Sequence, residues 1–261
     1  MVETIEQWYF SLGWLLVILA AFYVTKVLLL EFAGHSLMSI PILNTLFAWL
    51  LALVMLPGTI VHEVSHFVAA TFLFVKVTDV SFTPKLTDGG LSLGHVRFAK
   101  KPDPFRDAVI GIAPLIGGSA ILVPIVAWGF SFPMPSYFLG VSHLATELSA
   151  LRTNIDLSST RDLIVLWLLF SIGNSVFPSK SDRRAWGLAG MLIVLLGGAL
   201  WYFAGLGPSD LLAHLPPSVL EIVNMTIFAL TLVLLIDLVL LIPVLMLALL
   251  LLVLAGRRGR D

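Results

Sequence analysis

From Val219 to Ala255 the chain is almost unbroken in its apolar character, with Glu221 and Asp237 as the only charged side chains. Wound as a helix at 1.5 Å per residue, that run would be about 55 Å long, well beyond the ~30 Å of a bilayer's hydrocarbon core. A helix in water needs a polar face, and this one has none. The run therefore restricts the chain to membrane folds. Pro243 lies inside it and no polar loop offers a turn, so a single bent or protruding helix is expected rather than a hairpin.

Composition agrees. Hydrophobic residues make up 59% of the 261 and charged residues 12%, with a mean hydropathy of +1.02; soluble domains average about 45–50% and about 25%. A net charge of -1 excludes a nucleic-acid partner of the usual kind, because phosphate binding needs a concentrated basic surface. There are no cysteines. Disulfides are excluded, and a transition metal would have to be held by histidine and carboxylate alone.

Spans of about 20 apolar residues are expected at Trp8 to Leu30, Pro41 to Phe74, Phe105 to Phe130, Arg161 to Phe177, Ala185 to Leu206 and in the final run. The second carries Pro57-Gly58, a kink signal. The fold class expected is thus an all-α polytopic membrane protein, one integral membrane domain over 1–261 with about six transmembrane helices. "MVETIEQWYF" lacks the basic region of a signal peptide, so the first span reads as retained. Most of the fifteen Lys and Arg residues fall after the second span, after the fourth and in the tail, all on one face of a six-span chain. The positive-inside rule makes that face, and both termini, cytoplasmic in the cell membrane, on a prokaryotic plan.

Between the second and third spans, Val75-Val77, Val80-Phe82, Leu91-Leu93 and Val96-Phe98 alternate with polar residues around Asp88-Gly89. This predicts a β-hairpin over about 75–100 that leans on the helices. No repeat and no separate soluble domain is visible, so no soluble domain partner is evident. The segment from His143 to Ser159 has the pattern of an amphipathic surface helix.

Within the second span stands His62-Glu63-Val64-Ser65-His66. Histidines at i and i+4 share one helix face and can bind one zinc ion, and the glutamate beside them can act as a base toward water. Ionisable groups inside a span are costly and point to function, and a cation compensates the burial of all three together. A further ligand is needed. Asp182 follows the fourth span in "SIGNSVFPSKSDRRAW"; it is either that ligand or a surface carboxylate paired with Arg183 or Arg184. Asp237 reads as half of a buried polar pair with an Asn or Ser, and Asn224 and Asn44 as interhelical hydrogen-bonding residues. His35, His95, His143 and His214 lie outside spans and read as ordinary surface histidines.

The H-E-x-x-H helix, the hairpin after it and a later helix ending in Asn174, Pro178 and Asp182 resemble the site-2 protease family of intramembrane zinc metalloproteases. That family carries N-x-x-P-x-x-x-L-D-G, and Asn174 and Asp182 keep its Asn-to-Asp interval. "IAPLIGG", Ile112 to Gly118, is similar to the family's Gly-Pro-x-x-Asn segment, with Gly117 at the Asn position. Pro178 sits one residue late, Ser181-Asp182-Arg183 replaces L-D-G, and no PDZ or CBS module is present. The resemblance spans about Leu56 to Trp186, within a core of about 41–186.

The resemblance implies a minimal family member with Zn²⁺ held by His62, His66 and Asp182, and Glu63 as the catalytic base. Asn174 and Gly117 would then face the substrate, or Asn174 would make an interhelical bond instead. The substrate class would be a single-span membrane protein cleaved near the cytoplasmic face, unwound first and held along the hairpin's edge within the lipid bilayer. Two other classes fit the same residues: a non-catalytic relative with a structural zinc site, and a metal or proton transporter. The transporter lacks its usual internal repeat.

Overall fold

The computed structural model describes residues 2–26, 28, 49–83, 85–87, 90–130, 155–177, 179, 181–184 and 186–258. Seven helices carry most of this: α1 (Val2–Lys26), α2 (Leu56–Phe72), α3 (Pro104–Phe130), α4 (Thr160–Val176), α5 (Trp186–Ala204), α6 (Pro208–Ala213) and α7 (Pro217–Arg258). Four short strands, β1 (Val77–Ser81), β2 (Lys85–Thr87), β3 (Gly90–Ser92) and β4 (His95–Phe98), lie between α2 and α3. The Asp88-Gly89 turn, the His143 helix up to residue 154, Pro178, His35 and Asn44 fall outside the described residues.

Four helical stretches are long and apolar enough to cross a membrane: Ile5–Thr25, Pro104–Gly129, Trp186–Ala204 and Pro217–Pro243. Of the six expected spans, the other two fall at α2 and α4, which have 17 residues each. At 1.5 Å per residue each is about 25 Å long, short of a bilayer core. Pro57 cannot donate to the helix before it, so the chain makes a turn at Met55 and α2 begins afresh, although residues 49–54 before it are also helical. Ser159 caps α4, its hydroxyl accepting from the Asp162 amide. The final run is one helix of 42 residues with Pro243 inside it.

The core forms where α1, α3, α4 and α7 meet, around Phe22, Leu122, Leu169, Ile227 and Phe228. Helix α2 packs on α3 and α4, with small residues at the crossings. Gly58 lies so close to the Ser171 carbonyl, and Gly117 to the Ser65 side chain, that neither position has room for a methyl group. The Gly58 amide also donates to Ser171 Oγ at 2.9 Å. Two buried polar pairs stitch the outer helices in. Ser11 Oγ donates to Asn224 Oδ1 at 2.7 Å, joining α1 to α7. Asn174 Nδ2 donates to Asp237 Oδ1 at 2.8 Å, joining α4 to α7; this is the polar pair expected for Asp237. Helix α5 is different, with apolar side chains exposed along its length, Ile193 and Val194 more than two-thirds so.

The strands form one antiparallel excursion made of two ladders. β1 pairs with β4 (Val80 opposite Val96, Ser81 opposite His95), with a bulge between Val77 and Asp79. β2 pairs with β3, Lys85 opposite Ser92 and Thr87 opposite Gly90. The inner ladder, β1 with β4, touches α2, and so lies beside the H-E-x-x-H turn.

Candidate metal centre

Helical period sets the first part of the site. His62 and His66 stand one turn apart on α2, their rings edge to face with centroids 4.7 Å apart. Each ring is tied by Nδ1 to a backbone carbonyl of a different helix. His62 donates to Ser175 O of α4 at 2.6 Å, and His66 to Ile110 O of α3 at 2.9 Å. A carbonyl only accepts, so both hydrogens sit on Nδ1 and both Nε2 atoms present lone pairs. Those two Nε2 atoms face each other at 3.1 Å.

Asp182 completes the group from the segment after α4. Its Oδ2 lies 3.5 Å from His62 Nε2 and its Oδ1 3.4 Å from His66 Nε2. The Ser179 amide donates to Asp182 Oδ2 at 2.6 Å, which fixes the carboxylate's direction. Gly111 of α3 admits the Asp182 backbone at a distance no side chain would allow. Arg183 turns away, its guanidinium over the rings of Tyr23 and Phe177 at 5.3 and 5.9 Å. Burial alone would raise the Asp182 carboxyl, but with no metal on the Nε2 atoms, hydrogen bonds donated from Nε2 by His62 and His66 outweigh it, and with the Ser179 amide they hold the group well below the ordinary carboxylate range.

These donors suit a metal ion. Two imidazole lone pairs and a carboxylate aimed at one point repel unless a cation lies between them. A tetrahedral site with bonds of about 2.0–2.1 Å has ligand-to-ligand edges of about 3.3–3.4 Å, close to the 3.1, 3.4 and 3.5 Å found here. Carbonyl partners on both Nδ1 atoms are the support that orients metal-binding histidines. The triad can therefore hold a metal ion.

A cavity of about 740 Å³ opens over the triad. Glu63 lines it and is 7% exposed; among the described residues no group hydrogen-bonds its carboxylate. Asn174 also reaches the cavity while holding Asp237. Gly117 does not; it sits at the crossing of α2 and α3, against Ser65. The strands form the far wall through Gly94, His95, Val96 and Phe98. At Gly94 the strand lies against the glutamate: a Cβ there would stand 2.9 Å from Glu63 Cγ and 3.0 Å from its Oε1.

Sequence reasoning missed Gly94 and His95 as site residues. The alternation that predicted the hairpin was the available signal, but only strand pairing shows which residues reach α2. His95, read from sequence as a surface histidine, lines the cavity. Its Nε2 lies 3.0 Å from Asp79 Oδ2 on the neighbouring strand, and its side chain is 22% exposed. Comparison of the chain with protein-family models, with curated proteins and with solved structures finds no match to any of them.

Proposed function

We propose that this membrane protein is an intramembrane zinc metalloprotease that cleaves membrane-spanning polypeptides, the activity implied by its resemblance to the site-2 protease family. The observation that carries the proposal is the convergence of His62 Nε2, His66 Nε2 and the Asp182 carboxylate within 3.5 Å, with Glu63 on the same cavity wall. Those three residues would hold the metal; with no cysteine its protein donors are nitrogen and oxygen, a set that zinc accepts, and zinc is the ion the resemblance implies.

Bound zinc supplies Lewis acidity, making water a better acid near neutral pH and stabilising negative charge on a carbonyl oxygen. Glu63 takes the proton of the attacking water and delivers it to the leaving nitrogen. Its carboxylate suits that task because no described residue competes for it by hydrogen bonding. Ser175 and Ile110 hold the histidine rings still through their carbonyls. The cavity, lined by His62, Glu63, His66, Asn174 and Asp182 beside the strands, admits the water that hydrolysis consumes. A substrate helix hides its peptide bonds, so it must unwind before reaching Glu63, and the hairpin offers an edge along which it can lie extended.

In this proposal α2, with residues 49–54, and α4 complete a six-span chain whose basic loops and both termini are cytoplasmic. Cleavage then takes place toward that face. The test is metal content together with cleavage of a single-span peptide. The parent holds about one zinc per chain and cleaves, while Glu63→Gln keeps the zinc and does not cleave. Glu63→Gln cleaving at the parent rate would overturn the mechanism, and purified parent without zinc would favour a transporter.

A further inference from the structure

His95 is a cavity-lining histidine that neither the metal triad nor the proposed chemistry uses. It lies on the cavity wall opposite α2, at the start of β4. Gly94 immediately before it touches the Glu63 side chain, so the imidazole sits beside the place where a peptide would react.

Its environment specifies one hydrogen-bonding role. Asp79 is a carboxylate acceptor 3.0 Å from Nε2, so the Nε2 atom carries the hydrogen. In the neutral ring Nδ1 is then an acceptor, and among the described residues it has no partner. The ladder keeps this arrangement in register. Asp79 stands opposite Arg97, and His95 opposite Ser81, so carboxylate and imidazole meet diagonally across the two strands. An acceptor that is held in one tautomer and partly shielded from water on a cavity wall fits a ligand bearing an N–H.

We propose that His95 is a substrate-binding residue that accepts a backbone N–H from an extended peptide lying over Glu63, with Asp79 as its positioning residue. This rests on the reading of the cavity as a peptidase site and names a residue that recognises the substrate there. An extended segment offers the right donor because its amides are not spent on helical bonds. His95 acts on binding, and Glu63 on turnover.

The test uses the full chain in lipid vesicles and a fluorescent single-span peptide that the parent cleaves. Affinity is read in the Glu63→Gln background, which binds without cleaving, and KM and kcat in the active chain. His95→Phe is expected to weaken binding and raise KM about tenfold, the worth of one well-placed hydrogen bond. Its kcat stays within about threefold of the parent's, a step well below the cost of losing a catalytic group, and its zinc content is unchanged. His95→Asn, whose Oδ1 can replace the ring nitrogen as acceptor, keeps most of the affinity. Asp79→Ala weakens binding and Asp79→Glu restores it.

Parent-like affinity in His95→Phe overturns the proposal. So does a His95→Asn variant as weak as His95→Phe, since that would mean a structural role. A parent that holds zinc but neither binds nor cleaves the peptide overturns the protease reading along with this one. A cleaving parent with an indifferent His95→Phe overturns this inference alone.

Discussion

Asn174 on α4 donates one Nδ2 hydrogen to Asp237 Oδ1 on α7 across 2.8 Å and the other to the Phe170 carbonyl at 2.9 Å. Asp237 is fully buried, and Asn174 is 3% exposed. The pair turns a carboxylate that an apolar helix could hardly tolerate into a clamp between the helix behind the cavity and the long last helix. It also fixes which way the Asn174 amide faces, because both neighbours are acceptors.

Removing the acceptor should therefore cost more than neutralising it. Asp237→Ala is expected to lower stability by about 1–3 kcal/mol, the penalty for a buried donor left unmet. Asp237→Asn keeps an acceptor and should cost less. Thermal unfolding in detergent of the two variants beside the parent decides this; equal melting temperatures for all three would show that the clamp carries no stability.

Much of the site was legible in the sequence, for a simple reason. Two histidines four residues apart on a helix must share a face, whatever the rest of the chain does. Asp182 was ambiguous because its position depends on how a short irregular segment folds back on α3, and spacing does not encode that. The place of His95 on the cavity wall was not legible, because a strand residue's surroundings come from the neighbouring strand, here Asp79, and from the helix the ladder leans on. Hydropathy sums over Pro57 and over the end of α4, so it reads six spans where four described helices are long and apolar enough on their own. Asp237 was read as one of a polar pair, and its partner, Asn174, lies in a helix distant in sequence.

Asp182 is held as a carboxylate by the two imidazoles. With its folded value depressed, its contribution to the stability of the metal-free protein is present above the ordinary carboxylate value of about 3.9. That contribution is lost as pH falls through the lower folded value. The melting-temperature gap between the parent and Asp182→Asn, both stripped of metal, should thus hold from pH 7 to pH 5 and close only in stronger acid. A gap that vanishes by pH 5 would show that the histidines do not hold the carboxylate. With metal present, the same substitution should weaken zinc binding at least about tenfold, the scale expected for changes around a metal site, as read by competition with a chelator.

Gly58 is the contact that lets α2 approach α4. A methyl group there would run into the Ser171 carbonyl and Ser175 Oγ, and His62 takes its orientation from Ser175 O one turn further on. Gly58→Ala should destabilise the protein by about 1–3 kcal/mol, the range for overpacking, and reduce zinc occupancy with it. Gly190→Ala on α5 is the control, since no atom lies within 4 Å of its new Cβ; it should leave both quantities as they are. Zinc content and melting temperature measured on both variants check the difference, and a Gly58→Ala protein with full zinc would show that the His62 anchor tolerates a helix shift.

Gly94 separates the metal from the chemistry. Its absent side chain lets the strand rest on Glu63, and a Cβ would sit 2.8 Å from the Ser81 carbonyl as well as 2.9 Å from Glu63 Cγ. The carbonyl belongs to the paired strand and cannot swing aside, so the added methyl must push either the glutamate or the ladder. The three atoms nearest to it belong to Ser81 and Glu63, not to a metal-binding side chain. Gly94→Ala should therefore keep its zinc, lose about 1–3 kcal/mol of stability to overpacking and cleave the test peptide at least about tenfold more slowly, the scale on which a displaced general base is felt. Zinc content, unfolding and single-turnover cleavage on one preparation test all three parts. Cleavage at the parent rate would mean that Glu63 works from a position the strand does not govern.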